Sequence, residues 1–133
     1  MSYERPGDPD IATFERLADA ALRRLPAKFR EQLVDVALRV VDFATPEQLA
    51  SVDLDDKWEL SGLYEGVPLP EQSQWDPSEM PPRIWLFRMP LIAEWEETGV
   101  DLADLVTHVV VHEAGHHFGF SDDDMHALED EAD

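Results

Sequence analysis

Residues 101–122 read Asp-Leu-Ala-Asp-Leu-Val-Thr-His-Val-Val-Val-His-Glu-Ala-Gly-His-His-Phe-Gly-Phe-Ser-Asp, and this stretch decides how the chain is built. Asp101 can cap a helix, and Asp104, three residues on, puts negative charge at the positive helix N-terminus. Gly119 can take the left-handed conformation that ends a helix, so one helix is expected from residue 102 to about Phe118. Its middle, Val109-Val110-Val111, is apolar on every side, which predicts a buried helix. Burying His112, Glu113, His116 and His117 without partners would be costly, so the four polar residues need a purpose.

Spacing supplies one. At 100° per residue, His112 and His116 lie ~40° apart and one turn along the axis, so both imidazoles can reach one ion at roughly 2.0–2.1 Å. Glu113 points ~100° round from His112, outside the ligand row but close to the open side of the ion. Gly119 lets the chain turn back and bring Asp122 up as a third ligand. Three protein ligands leave a fourth position for water, the pattern of a catalytic metal site. Zinc lowers the pKa of such a water toward ~7 and polarises a carbonyl. Glu113 is then placed as the general base that takes the water's proton. Peptide-bond hydrolysis is the reaction this set serves best.

Working outward, residues 10–25 carry Ile11, Phe14, Leu17, Ala18, Ala21, Leu22 and Leu25 at helical spacing behind a cap at Asp10. Pro26 interrupts, and a short helix through Phe29 and Leu33 follows. Residues 35–43 alternate as a strand buried on both sides, and Thr45-Pro46-Glu47 reads as a cap and first turn. A second strand is expected over Leu60 to Tyr64. The segment from Glu65 to Pro82, rich in proline, is expected to be irregular, either a lid over a substrate or a surface connection. Arg83 to Arg88 predicts a strand, internal or at an edge where an extended peptide could add. A helix near Pro90 to Glu97 ends at Gly99. Residues 1–9 read as a flexible tail and 10–133 as a single domain.

The chain has 133 residues with 30 acidic side chains against 10 Lys and Arg, a net charge of −20. That field repels nucleic acid and anionic lipid and attracts cations. It also aids solubility. There is no cysteine, which removes disulfides and thiolate ligands. No stretch approaches the ~18 apolar residues of a membrane span, and Met1 to Asp10 has no signal-peptide core. A cytoplasmic protein without nucleic-acid or membrane partners is expected.

The extended pattern His112-Glu113-x-x-His116-x-x-Gly119-x-x-Asp122 resembles the zincin metallopeptidases whose third ligand is aspartate. With Leu63-Tyr64-Glu65-Gly66-Val67-Pro68-Leu69, Leu86-Phe87-Arg88 and the run from His112 through Asp124, the chain more closely resembles the minimal zincin-like domains, or mini-zincins. The resemblance covers most of residues 11–125. It implies an α+β, zincin-like fold in which a small mixed β-sheet packs on an active-site helix, with helices at the N-terminus. It also implies His112, His116 and Asp122 as zinc ligands, Glu113 as base, and a peptide or protein substrate.

Other polar residues have quieter readings. His108 falls on the same side of the helix as His112 but a full turn back, ~6 Å from the ligand pair, and is expected to be buried and hydrogen-bonded. His117 reads as structural or as a support for the metal ligands, with its partner unknown, His126 as a candidate oxyanion stabiliser, and Asp123 and Asp124 as helix-start charges. A metal-dependent ribonuclease is an alternative, because bacterial ribosomal-RNA maturation enzymes show a His-x3-His-x5-His spacing whose last offset is taken here by Asp122. Glu113 and the negative charge oppose it. A third alternative is a zinc-holding module that binds a protein partner without cleaving it.

Overall fold

The computed structural model describes residues 5–68 and 81–119. Helix α1, Ile11–Arg23, starts where the Asp10 carboxylate accepts the Thr13 N–H at 2.9 Å. Its buried residues, Phe14, Ala18 and Ala21, fall on one stripe. Pro26 opens α2, Ala27–Arg30, which runs into a 3₁₀ turn at Glu31–Leu33. Strand β1 spans Ala37–Val41. Helix α3, Pro46–Ser51, begins with reciprocal hydrogen bonds between Thr45 and Gln48, at 2.9 and 3.1 Å, and has Pro46 in the first turn. A 3₁₀ turn at Lys57–Glu59 leads to β2, Gly62–Glu65. Strand β3 is Arg83–Phe87, α4 is Arg88–Thr98 and α5 is Leu102–Phe118.

The sheet order is β1-β3-β2, with β1 parallel and β2 antiparallel to β3. The strand over 83–87 is therefore internal, flanked on both sides, and the edge reading of it is corrected. Its apolar run follows from that place, since a central strand covered on both faces needs no polar side. Ile84 and Leu86 point toward α1 and α5, whereas Phe87 joins Ala44, Leu49 and Leu63 on the other face. Register carries the alternation across the sheet. Leu38 and Val40 pair with Ile84 and Leu86, while Tyr64 and Gly62 pair with the same two residues from the other side. Gly62 and Tyr64 thus share the face that meets α5.

Helix α4 begins at Arg88, two residues before the expected start, with no connecting loop after β3. Pro90 does not oppose this, because the N–H groups of a helix's first turn have no partner within the helix. Buried Arg88 donates from Nε to Asp42 Oδ1 at 2.8 Å and from Nη1 to the Pro9 carbonyl at 2.9 Å. It ties the end of β1 and residue 9, within the expected tail, to the start of α4. Helix α1 packs on α5, and Phe14, Ala18 and Ala21 share one core cluster with Val106 and Val110. No described helix is long and apolar enough to cross a membrane.

A β-carbon added at Gly62 would stand 2.5 Å from Val109 Cγ1 and 3.5 Å from Glu113 Cγ. Only a glycine lets β2 lie this close to α5. Gly62→Ala is expected to push the strand off the helix and cost about 1–3 kcal/mol, read from chemical denaturation midpoints. Stability equal to the wild type would mean that the strand shifts without resistance.

Candidate metal centre

Helix α5 is fixed at both ends before it presents any chemistry. The Asp101 carboxylate accepts the Asp104 N–H at 3.2 Å, and Gly119 closes the helix with φ +75°. Val106, Val110, Val111 and Ala114 are fully buried and hold the helix rigidly against α1 and the sheet. The other side carries His108 and His116, both exposed, with His112 half-buried between them. The expected burial of the helix holds for its valines and not for this row.

The His112 and His116 rings have centroids 4.9 Å apart and meet edge to face. Glu113 is buried at 7 % exposure, and its Oε1 lies 3.0 Å from His116 Nδ1. A carboxylate oxygen accepts, so Nδ1–H donates and the lone pair of the neutral ring sits on Nε2, the form in which imidazole ligates metal. Two adjacent imidazoles, one oriented by a carboxylate, form a donor pair that suits zinc. Among the described residues no group of three metal-ligating side chains comes together. Asp122, the expected third ligand, lies outside the described residues, as do Asp123, Asp124, Met125 and His126 and the middle of the expected lid.

His108 departs from expectation. It is exposed, not buried, and its ring lies 6.4 Å from that of His112. Its helical position put it on the correct side of α5, but that side faces a cleft and not the core. The cleft, about 240 Å³, lies between α5 and the chain entering β2, with Ser61 and Gly62 opposite His112 and Glu113. A larger groove of about 720 Å³, lined by Pro46, Leu49, Leu54 and Trp58, lies elsewhere and holds no imidazole, so volume does not locate the chemistry here.

His117 is buried, and its partners are Gln32 and Tyr64. Its Nε2 lies 3.2 Å from the Gln32 carbonyl and its Nδ1 lies 2.7 Å from Tyr64 Oη. A carbonyl only accepts, so Nε2 carries the proton and Nδ1 accepts the tyrosine hydroxyl. Burial lowers the His117 pKa below the ordinary histidine value and raises that of Tyr64 to about 12, so both stay neutral. The bond fastens β2 to the last turn of α5, beside the candidate ligands. Tyr64→Phe leaves a buried ring nitrogen without a donor and is expected to cost about 1–3 kcal/mol. Thermal denaturation checks this, and an unchanged midpoint would show that the pair contributes nothing.

The residues missed in the sequence are those facing α5 across the cleft: Glu59, Ser61 and Gly62. A glycine inside a strand was the available signal, since it marks close approach of another element.

A helix bearing two imidazoles and a buried carboxylate, packed under a small mixed sheet, is the architecture of a zincin. The family model for zincin-like metallopeptidases matches residues 33–132, and the chain belongs to that family. The matched range includes Asp122 as well as the helix. No curated protein matches the chain.

Proposed function

We propose that the protein is a zinc-dependent peptidase in which His112, His116 and Asp122 hold the ion and Glu113 acts as general base. The observation that carries this reading is the His112–His116 pair, 4.9 Å apart, with the buried Glu113 carboxylate beside it on the wall of an open cleft. When bound, zinc would supply a Lewis acid that polarises the scissile carbonyl and acidifies water.

The chain's own residues do the rest. Glu113 takes a proton from the attacking water and returns it to the departing amine as the carbon–nitrogen bond breaks. Its burial against Gly62 limits its rotamers, and its contact with Nδ1 orients His116. Among the described residues β2 is an edge strand, and it runs beside the ligand row. An extended peptide could add to that edge through main-chain hydrogen bonds, which brings its backbone over the pair. The strand-addition role first considered for residues 83–88 therefore passes to β2.

Family membership favours peptide hydrolysis over the ribonuclease alternative. The test is a peptide-library cleavage assay on zinc-loaded protein with and without chelator. Cleavage that stops on chelation and resumes on adding zinc is expected. Tight zinc binding with no cleavage of any peptide or unfolded protein would instead favour a non-catalytic binding module.

A further inference from the structure

We propose that Tyr64 is a positioning residue of the metal centre: acting through His117, its hydroxyl fixes the turn of α5 that carries His116, so zinc affinity depends on it. This rests on the metal centre proposed above. His116 and Glu113 orient each other, but both stand on α5, so their contact moves with the helix. The last turn needs an anchor from outside, because helix ends fray and their final carbonyls have no partner within the helix. His117, the next residue, supplies it. Its ring is 2 % exposed and is held from two sides, by Tyr64 Oη at 2.7 Å from Nδ1 and by the Gln32 carbonyl at 3.2 Å from Nε2. One partner comes from β2 and the other from the 3₁₀ turn after α2, so two separate parts of the fold grip this turn.

The hydroxyl has two acceptors within reach and one proton to give. Tyr64 Oη lies 3.3 Å from the Val67 carbonyl and 2.7 Å from His117 Nδ1. The shorter contact, and the need of Nδ1 to accept while Nε2 donates to Gln32, assign the proton to His117. Phe118 extends the grip, its ring 5.2 Å from that of Phe29 in α2. A metal site tolerates little play, since its groups must stay within about 0.5 Å and 10–20° of the working geometry. Rotation of the last turn carries the His116 ring with it, and carries Gly119, from which the chain leaves toward Asp122. Groups that orient metal ligands from behind are worth roughly 10–100-fold in metal affinity. Among the described residues Tyr64 also stands on an edge strand, so its hydroxyl joins the edge open to a peptide to the turn that holds the ion.

The test is a zinc competition titration at one pH, at a temperature where circular dichroism shows each variant folded. Tyr64→Phe keeps the ring, removes the hydroxyl and is expected to weaken zinc binding by roughly tenfold. Leu49→Ala opens the cluster on the far face of the sheet from α5, so it lowers stability and should bind zinc like the wild type. His117→Leu should weaken binding too, and adding Tyr64→Phe to it should cost nothing further, because the hydroxyl acts through the imidazole. Cobalt in place of zinc gives a second readout, since its visible absorption reports ligand geometry. That spectrum should change in Tyr64→Phe and match the wild type in Leu49→Ala. Equal zinc affinity in Tyr64→Phe and wild type overturns the proposal, as does an equal loss in Leu49→Ala or an additive double variant. If His117→Leu does not fold, the comparison of Tyr64→Phe with Leu49→Ala decides. A wild type that takes up no zinc contradicts the metal centre itself, and the positioning role falls with it.

Discussion

Glu113→Gln is expected to lower peptide hydrolysis by roughly 10²–10⁴-fold while zinc stays bound. The amide keeps the size and shape of the carboxylate, which matters because Glu113 is only 7 % exposed and packs against Gly62 and His116. Its carbonyl oxygen can still accept from His116 Nδ1, so the imidazole orientation survives. What the amide cannot do is take a proton from water. Steady-state cleavage and zinc content measured on one preparation test this. Wild-type turnover in the variant would remove Glu113 from its assigned role, and loss of zinc along with activity would make the residue a support for the ligands instead of a base.

The second large effect concerns stability. An ion bound only by the folded chain stabilises it by about 2.7 kcal/mol at one hundred times its dissociation constant. Zinc at that excess is therefore expected to raise the denaturation temperature of the wild type by several degrees, and a chelator should reverse the shift. His112→Ala and His116→Ala each remove half of the imidazole pair and should lose most of this gain. His108→Ala, a full turn away from His112, should keep it. Calorimetric scans across the four proteins with and without zinc separate these outcomes. An equal shift in all four would place the ion somewhere other than this row.

Much of the molecule was legible because its signals are local. Asp101 and Gly119 bound α5 as expected, since a cap and a left-handed glycine each act within one turn. Thr45 and Pro46 announced α3 in the same way, and the structure adds the reciprocal bond from Gln48. Strand order was not legible. That β3 sits between β1 and β2 depends on non-local pairings, Ala37 with Arg83 on one side and Gly62 with Leu86 on the other, and the sequence of residues 83–88 suits an internal strand or an edge equally. The length of α4 was hidden for a local reason, because Pro90 looked like a helix start and is instead the third residue of one.

The site divides along the same line. The spacing of His112, Glu113 and His116 on one helix follows from 100° per residue, and the structure brings the three together. His108 was placed on the correct side of α5, but whether that side met core or solvent depended on where β2 ran, which no helical wheel contains. The same gap hid the partner of His117, since Tyr64 lies 53 residues earlier in the chain and meets it only when β2 packs on α5.

A competition titration of zinc against a chromogenic chelator, run on wild type, Asp122→Ala and His108→Ala, tests the central claim most directly. One ion per chain is predicted, with affinity sharply weakened by Asp122→Ala and unchanged by His108→Ala. Failure of the wild type to take up zinc, or an Asp122→Ala variant that binds as tightly as its parent, would contradict a centre built from His112, His116 and Asp122.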